Sequence, residues 1–148
     1  MIVYLVRHGE AVPPEADPAR PLSARGRAEV EATAKKLLAE SAQVSEIWHS
    51  GKLRAKQTAE IIARVLGVNK VIEQKGLKPD DDPSPVADLI RQTNDAQRFE
   101  PRNRSTQSAL LIAGHLPFLP KLANLLDPKL KVKEMGTGEA VRVSLIRN

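Results

Sequence analysis

A three-layer α/β/α fold, with a mostly parallel sheet of about six strands between two layers of helices, is predicted by three features of the sequence. Short apolar runs alternate along the chain with longer segments whose apolar residues recur at helical spacing. The first run, Ile2-Val3-Tyr4-Leu5-Val6, is apolar throughout, as a strand covered on both faces must be. Two of the runs empty into polar, glycine-containing exits, Arg7-His8-Gly9 and Gly114-His115, at the strand ends where parallel sheets hold their ligands.

Each element follows in turn. Pro13, Pro14, Pro18 and Pro21 exclude helix and central strand from residues 10–22 and predict a loop over the first strand's exit. Ser23 is a helix N-cap, and Val30, Ala34, Leu37 and Leu38 carry a helical period to near Ser41. A second strand spans Val44 to Trp48 and leaves through His49-Ser50-Gly51. The second helix runs from about Leu53 to Leu66, with Ala55, Ala59, Ile62 and Leu66 on one face and Gly67 as its stop. Lys70 to Glu73 is a short strand, and the aspartate- and proline-rich run from Lys78 to Pro85 is a loop. Helix resumes through Val86, Leu89 and Ile90, and Arg98 to Arg104 is an exposed connection. Ala109 to Ala113 is a fourth strand. Phe118, Leu119, Leu122, Leu125 and Leu126 mark a helix whose leucines belong to the core. Lys129 to Glu134 and Ala140 to Ile146 are expected as two closing strands around Gly136-Thr137-Gly138.

At 148 residues the chain fits one domain with a real core, and no internal repeat or low-complexity tract divides it. Its 41% hydrophobic and 28% charged residues are those of a soluble globular protein. The absence of cysteine excludes disulfides, thiolate nucleophiles and cysteine-ligated metals together. The first apolar run has no basic leader and is too short for a signal core or a membrane span, so a cytoplasmic location without membrane contact is expected. A net charge of +5 favours acidic partners, phosphates among them. Scattered lysines and arginines with only 3% aromatics argue against nucleic acid.

With strands one, two and four central in a parallel sheet, their carboxyl ends bring Arg7, His8, the Ser50 to Arg54 segment and His115 to one edge. Two arginines and two histidines repel one another unless an anion lies between them, and a tetrahedral, oxygen-rich phosphoryl group fits best. Arg7 can grip it with a two-pronged hydrogen bond, His8 has a lone pair that can attack phosphorus, and Gly9 lets backbone approach closely. Arg54 adds its charge near a helix start, where free N–H groups attract the same anion. No metal or cofactor is called for: carboxylate and histidine are not spaced as ligands at these exits, and protein cations can neutralise the phosphoryl oxygens. Singly, His8 reads as a satisfied strand-end histidine, His115 as a turn residue and Arg54 as an exposed helical arginine; their joint position at strand exits favours a shared site. His49 is expected in a structural or rim role, and Ser23 as a helix cap before a phosphate contact. For an acid, Glu10 and Asp80 stand ahead of Asp17, Asp81 and Asp82, all in loops near the expected site.

Arg7-His8-Gly9-Glu10-Ala11, then Arg20-Pro21-Leu22-Ser23 with Gly26, then Ser50 followed by Leu53-Arg54-Ala55-Lys56-Gln57-Thr58-Ala59, then Gly114-His115-Leu116-Pro117 and the late Thr137-Gly138 resemble, together and in order, the histidine phosphatase superfamily. Within it the chain is similar to the small phosphohistidine phosphatases of the SixA type. The resemblance implies a phosphoglycerate mutase-like sheet with one strand reversed, and a single domain over 1–148 without the large insertion that covers the pocket of bigger relatives. It implies that His8 becomes phosphorylated, that Arg7, Arg54 and His115 hold the phosphoryl oxygens, and that water hydrolyses the intermediate. An open pocket without the insertion's carboxylic acid suits phosphohistidine in a protein, a phosphotransfer domain or a phosphocarrier in signal transduction. Two other readings stand beside it: a phosphatase of small phosphoesters using the same residues, and a non-catalytic module binding phosphoryl groups or nucleic acid. Gly51, where relatives usually carry proline, and Glu139, in a motif where small or apolar residues are commoner, are departures at the rim.

Overall fold

A computed structural model describes residues 1–97 and 108–145 of the chain. The elements, in chain order, are strand β1 (Ile2–Arg7), helix α1 (Ala24–Ala39), β2 (Val44–His49), α2 (Leu53–Leu66), β3 (Val71–Glu73), α3 (Ser84–Gln97), β4 (Ala109–Gly114), α4 (Phe118–Leu126) and β5 (Ala140–Ser144). They form one sheet in the order β3-β2-β4-β1-β5, parallel throughout except for β5, which runs antiparallel to β1. The three strands expected to be central are central.

The unbroken apolar run of β1 has a direct cause. Val3 and Leu5 enter one core with α3 and α4, whereas Ile2, Tyr4 and Val6 enter a second core with α1 and α2. Alternate side chains of a strand point to opposite faces, so a strand buried between two helix layers is apolar at every position. Ser23 caps α1 by accepting the Gly26 amide at 3.0 Å, and Gly67 ends α2 in a left-handed conformation at φ 71°.

Register sets the positions of the strand exits. Arg7 pairs with Gly114 and His49 with Ala113, so the chain leaves β1, β2 and β4 side by side on one edge. The ladder continues one step beyond, with His8 donating its amide to the Gly114 carbonyl at 2.9 Å.

The expected sixth strand is absent. Residues 129–134 are not paired into the sheet, because the Asn124 side chain accepts the Val132 amide and donates to the Val132 carbonyl, both at 2.8 Å, taking the groups a neighbouring strand would use. Lys131, at φ 50°, breaks the extended run as well. Among the described residues the sheet therefore has five strands, and β5 is described to Ser144; Ile146 and the Arg98 to Arg104 connection lie outside the described residues.

Candidate active site

His8 follows β1 directly and is buried, the residue being 8% exposed. Its Nδ1 lies 2.7 Å from the carbonyl oxygen of Gly9, which can only accept, so Nδ1 carries the proton. The lone pair of the neutral ring is thereby left on Nε2. Burial lowers the His8 pKa to about 4; the bond to Gly9 opposes that fall, and the charges of Arg54, Arg7 and Arg20 add to it. At physiological pH His8 thus presents a neutral, oriented nitrogen lone pair, the form a nitrogen nucleophile requires.

His115 faces it from the end of β4, with ring centroids 5.2 Å apart and planes tilted by 55°. Ser50, leaving β2, holds the His115 Nε2 at 2.6 Å through its hydroxyl, which also accepts the Lys52 amide at 3.3 Å. The His115 Nδ1 is buried without a hydrogen-bond partner. Its pKa is lowered to about 3, first by burial and then by His8, Arg54, Lys52 and Arg7.

The arginines are held on one side and open on the other. Arg7 donates from Nη1 to the Met135 carbonyl at 2.8 Å, while its buried Nε has no partner. Arg54, in the first turn of α2, likewise has a buried Nε without a partner; burial, followed by the nearby charge of Arg20, lowers its pKa. Buried guanidinium nitrogens without acceptors, set among cations, are groups for which an oxyanion is the missing partner.

Arg7, His8, Arg54 and His115 are therefore brought together as the sequence led us to expect. Two cations that it did not assign to the site join them. Arg20, in the loop after β1, acts on both His8 and Arg54, and Lys52 acts on His115. Arg20 stood in a recognised motif; Lys52 carried no signal beyond its place two residues before Arg54.

Among the described residues, the side-chain charges acting on the pair His8 and His115 are those of Arg7, Arg20, Arg54 and Lys52. Glu10 accepts the Ser23 hydroxyl at 3.0 Å and lies 3.7 Å from Arg25, at the start of α1. Asp80 is exposed, and its neighbours Asp81 and Asp82 accept the amides of Lys78 and Ser84, each at 2.9 Å, within their own loop. Ser23 serves as a cap, its hydroxyl spent on Glu10. His49 is buried and accepts the Gly51 amide on Nδ1 at 3.0 Å, a structural role; proline at 51 would lack that amide and the observed φ of 89°.

A Cβ at Gly9 would lie 2.6 Å from the Gly26 carbonyl oxygen and 2.8 Å from Val30, so glycine here permits a close approach to α1. Its amide is taken by Thr58 Oγ1 at 3.1 Å, and Thr58 in turn donates to the Arg54 carbonyl at 2.8 Å. One hydroxyl thus joins the nucleophile's loop to the arginine's helix. Glu29 of α1 does similar service, accepting the Glu10 amide at 3.0 Å and the Thr137 hydroxyl, while the Gly138 amide bonds the Arg7 and His8 carbonyls at 3.0 and 3.1 Å. Thr58 was legible as lying one turn beyond Arg54 on the same helix face; Glu29 had no local signal.

Among the described residues no group of histidine, cysteine and carboxylate side chains is arranged to hold a metal ion, and no helix is long and apolar enough to cross a membrane.

The family model of the histidine phosphatase superfamily (branch 1) matches residues 3–79. No curated protein sequence matches the chain. Among solved structures, the protein histidine phosphatase SixA complexed with tungstate is similar at a TM-score of 0.82 and 26% identity, over 98% of this chain and 88% of that one. The SixA protein of Agrobacterium tumefaciens shares the fold at a TM-score of 0.70 and 19% identity, over 95% and 89% of the two chains. So does mycobacterial glucosyl-3-phosphoglycerate phosphatase complexed with VO3, at 0.72 and 16%, over 97% and 90%.

Proposed function

Because the chain belongs to the histidine phosphatase superfamily, we propose that it is a phosphatase whose nucleophile is His8 Nε2 and whose substrate is phosphohistidine in a protein. The observation that carries the choice of substrate is the pocket's electrostatics: among the described residues, the side-chain charges acting on the pair His8 and His115 are those of Arg7, Arg20, Arg54 and Lys52. An alkoxide leaving group needs an acid beside it, whereas an imidazole is a far better leaving group and departs with less help. The likeness to SixA, a protein histidine phosphatase that binds the tetrahedral oxyanion tungstate, supports the same reading.

In the first step the Nε2 lone pair of His8 forms a bond to phosphorus as the bond from phosphorus to the substrate imidazole nitrogen breaks. The electron pair leaves with the substrate. Arg7, Arg54 and the Nδ1 of His115 hold the three phosphoryl oxygens, so that charge moving through the transition state meets fixed donors. Water then attacks phosphorus in line with Nε2, and inorganic phosphate leaves while His8 regains its lone pair. A single domain whose pocket lacks a covering insertion admits a histidine standing on another protein's surface.

The test compares wild type with His8→Ala, in chelator, on a phosphohistidine-bearing protein and on a panel of small phosphoesters. Fast phosphate release from the protein, abolished by the substitution and weak on every ester, is expected. Faster release from one ester would replace this substrate class with a small-molecule one, as in the glucosyl-3-phosphoglycerate phosphatase that shares the fold.

A further inference from the structure

We propose that Lys52 selects substrates in which a second negative charge, a carboxylate, stands beside the phosphoryl group. The inference rests on the reading of the pocket as a phosphoryl site and concerns what surrounds that group. Lys52 is fixed to the pocket wall by its backbone, whose amide bonds the Ser50 hydroxyl that in turn holds His115. Its side chain is exposed, unlike the buried groups that would take the phosphoryl oxygens, and its charge acts on His115. Arg20 supplies a further cation, whose charge acts on His8 and Arg54.

Lys52 forms no ion pair among the described residues, although arginines and lysines elsewhere do: Arg25, Arg64, Lys70 and Arg91 each have a carboxylate partner. It occupies the N-cap of α2, where the helix dipole disfavours a cation and a capping oxygen is preferred; α2 has no side-chain cap and no acidic residue in its first turn. Lys56, exposed and also without an ion pair among the described residues, lies one turn on and repels it. Lysines set against helix stability on both counts, at the lip of an anion pocket, are explained by an incoming anion. A compact, strongly hydrated ammonium suits a carboxylate that stays in water at the pocket's edge. That carboxylate comes either from an acidic residue flanking the phosphohistidine or from a small phosphorylated acid, and the two sources are separable.

The experiment measures kcat/KM at low salt for two phosphohistidine peptides that differ only in acidic or neutral flanking residues, and for phosphoglycolate against phenyl phosphate. Wild type is compared with Lys52→Met and Lys52→Arg. Wild type is expected to prefer the acidic peptide by about threefold to fivefold, the range of an exposed ion pair. The preference falls to near one in Lys52→Met, persists in Lys52→Arg and shrinks as salt is added. A wild-type ratio near one, or a preference that survives Lys52→Met, would overturn the proposal. If both peptides are inert but phosphoglycolate is preferred over phenyl phosphate through Lys52, the proposal holds with a small-molecule source and the phosphohistidine reading falls. If nothing is turned over, both fall together.

Discussion

His8 and His115 titrate far from the ordinary imidazole range, and the direction matters for chemistry. Burial and the surrounding arginines disfavour a second proton on either ring, placing the midpoints at about 4 and about 3. In a nuclear magnetic resonance titration both rings should remain neutral down to pH 5, and added phosphate or tungstate should raise the His115 midpoint, because an anion favours the charged form. Protonation of His8 near 6.5 would remove the basis for a neutral nucleophile. Arg54 is open to a parallel test. Its Nε has no protein partner, and lysine has a single ammonium in place of the planar fork, so Arg54→Lys should lower kcat by about 10²-fold with little change in melting temperature.

At the scale of elements, the site depends on how tightly the β1 exit loop lies on α1. A Cβ at Gly26 would overlap the Glu10 carbonyl oxygen, which is backbone and cannot swing aside. Gly26→Ala should therefore destabilise the protein by about 1–3 kcal/mol, the usual cost of overpacking, read as a lower melting temperature and a reduced kcat together. Thr58→Val leaves the Gly9 amide without its acceptor and should cost about 1–3 kcal/mol. Most of this architecture was legible. The apolar run of β1, the period of α2 with its Gly67 stop and the Gly114-His115 exit each have a local cause, and each appears where the pattern put it. The false strand at 129–134 shows the limit. Its alternating lysines and apolar residues satisfy a strand template, and only tertiary structure reveals that Asn124 consumes the backbone of Val132. The same limit hid Glu29, whose contacts with Glu10 and Thr137 depend on which chain segments the fold brings next to it. In the acidic loop, Asp81 and Asp82 serve their own turn.

Taken as a whole, the molecule places its ionisable cluster at the carboxyl edge of a parallel sheet and tolerates a thermodynamic penalty for it. The chain has three histidines, and all three are depressed in the folded state. Between about pH 6.5 and 4 the unfolded chain binds protons that the folded chain refuses, so stability is greatest above 6.5 and falls as the pH drops through that window. Melting temperatures recorded from pH 7.5 to 4.5 should decline, more steeply for wild type than for His115→Gln, and an oxyanion ligand should flatten the decline. The net charge of +5 acts on the same scale, speeding encounter with acidic substrates at low salt. The account turns, however, on one covalent bond. Wild-type protein mixed rapidly with phosphoramidate, quenched in alkali where phosphohistidine survives, and digested for mass spectrometry should show a phosphoryl group on His8 that decays as inorganic phosphate appears. Turnover of phosphoramidate with His8 unmodified at every time point, or with the phosphoryl group on another residue, would contradict it.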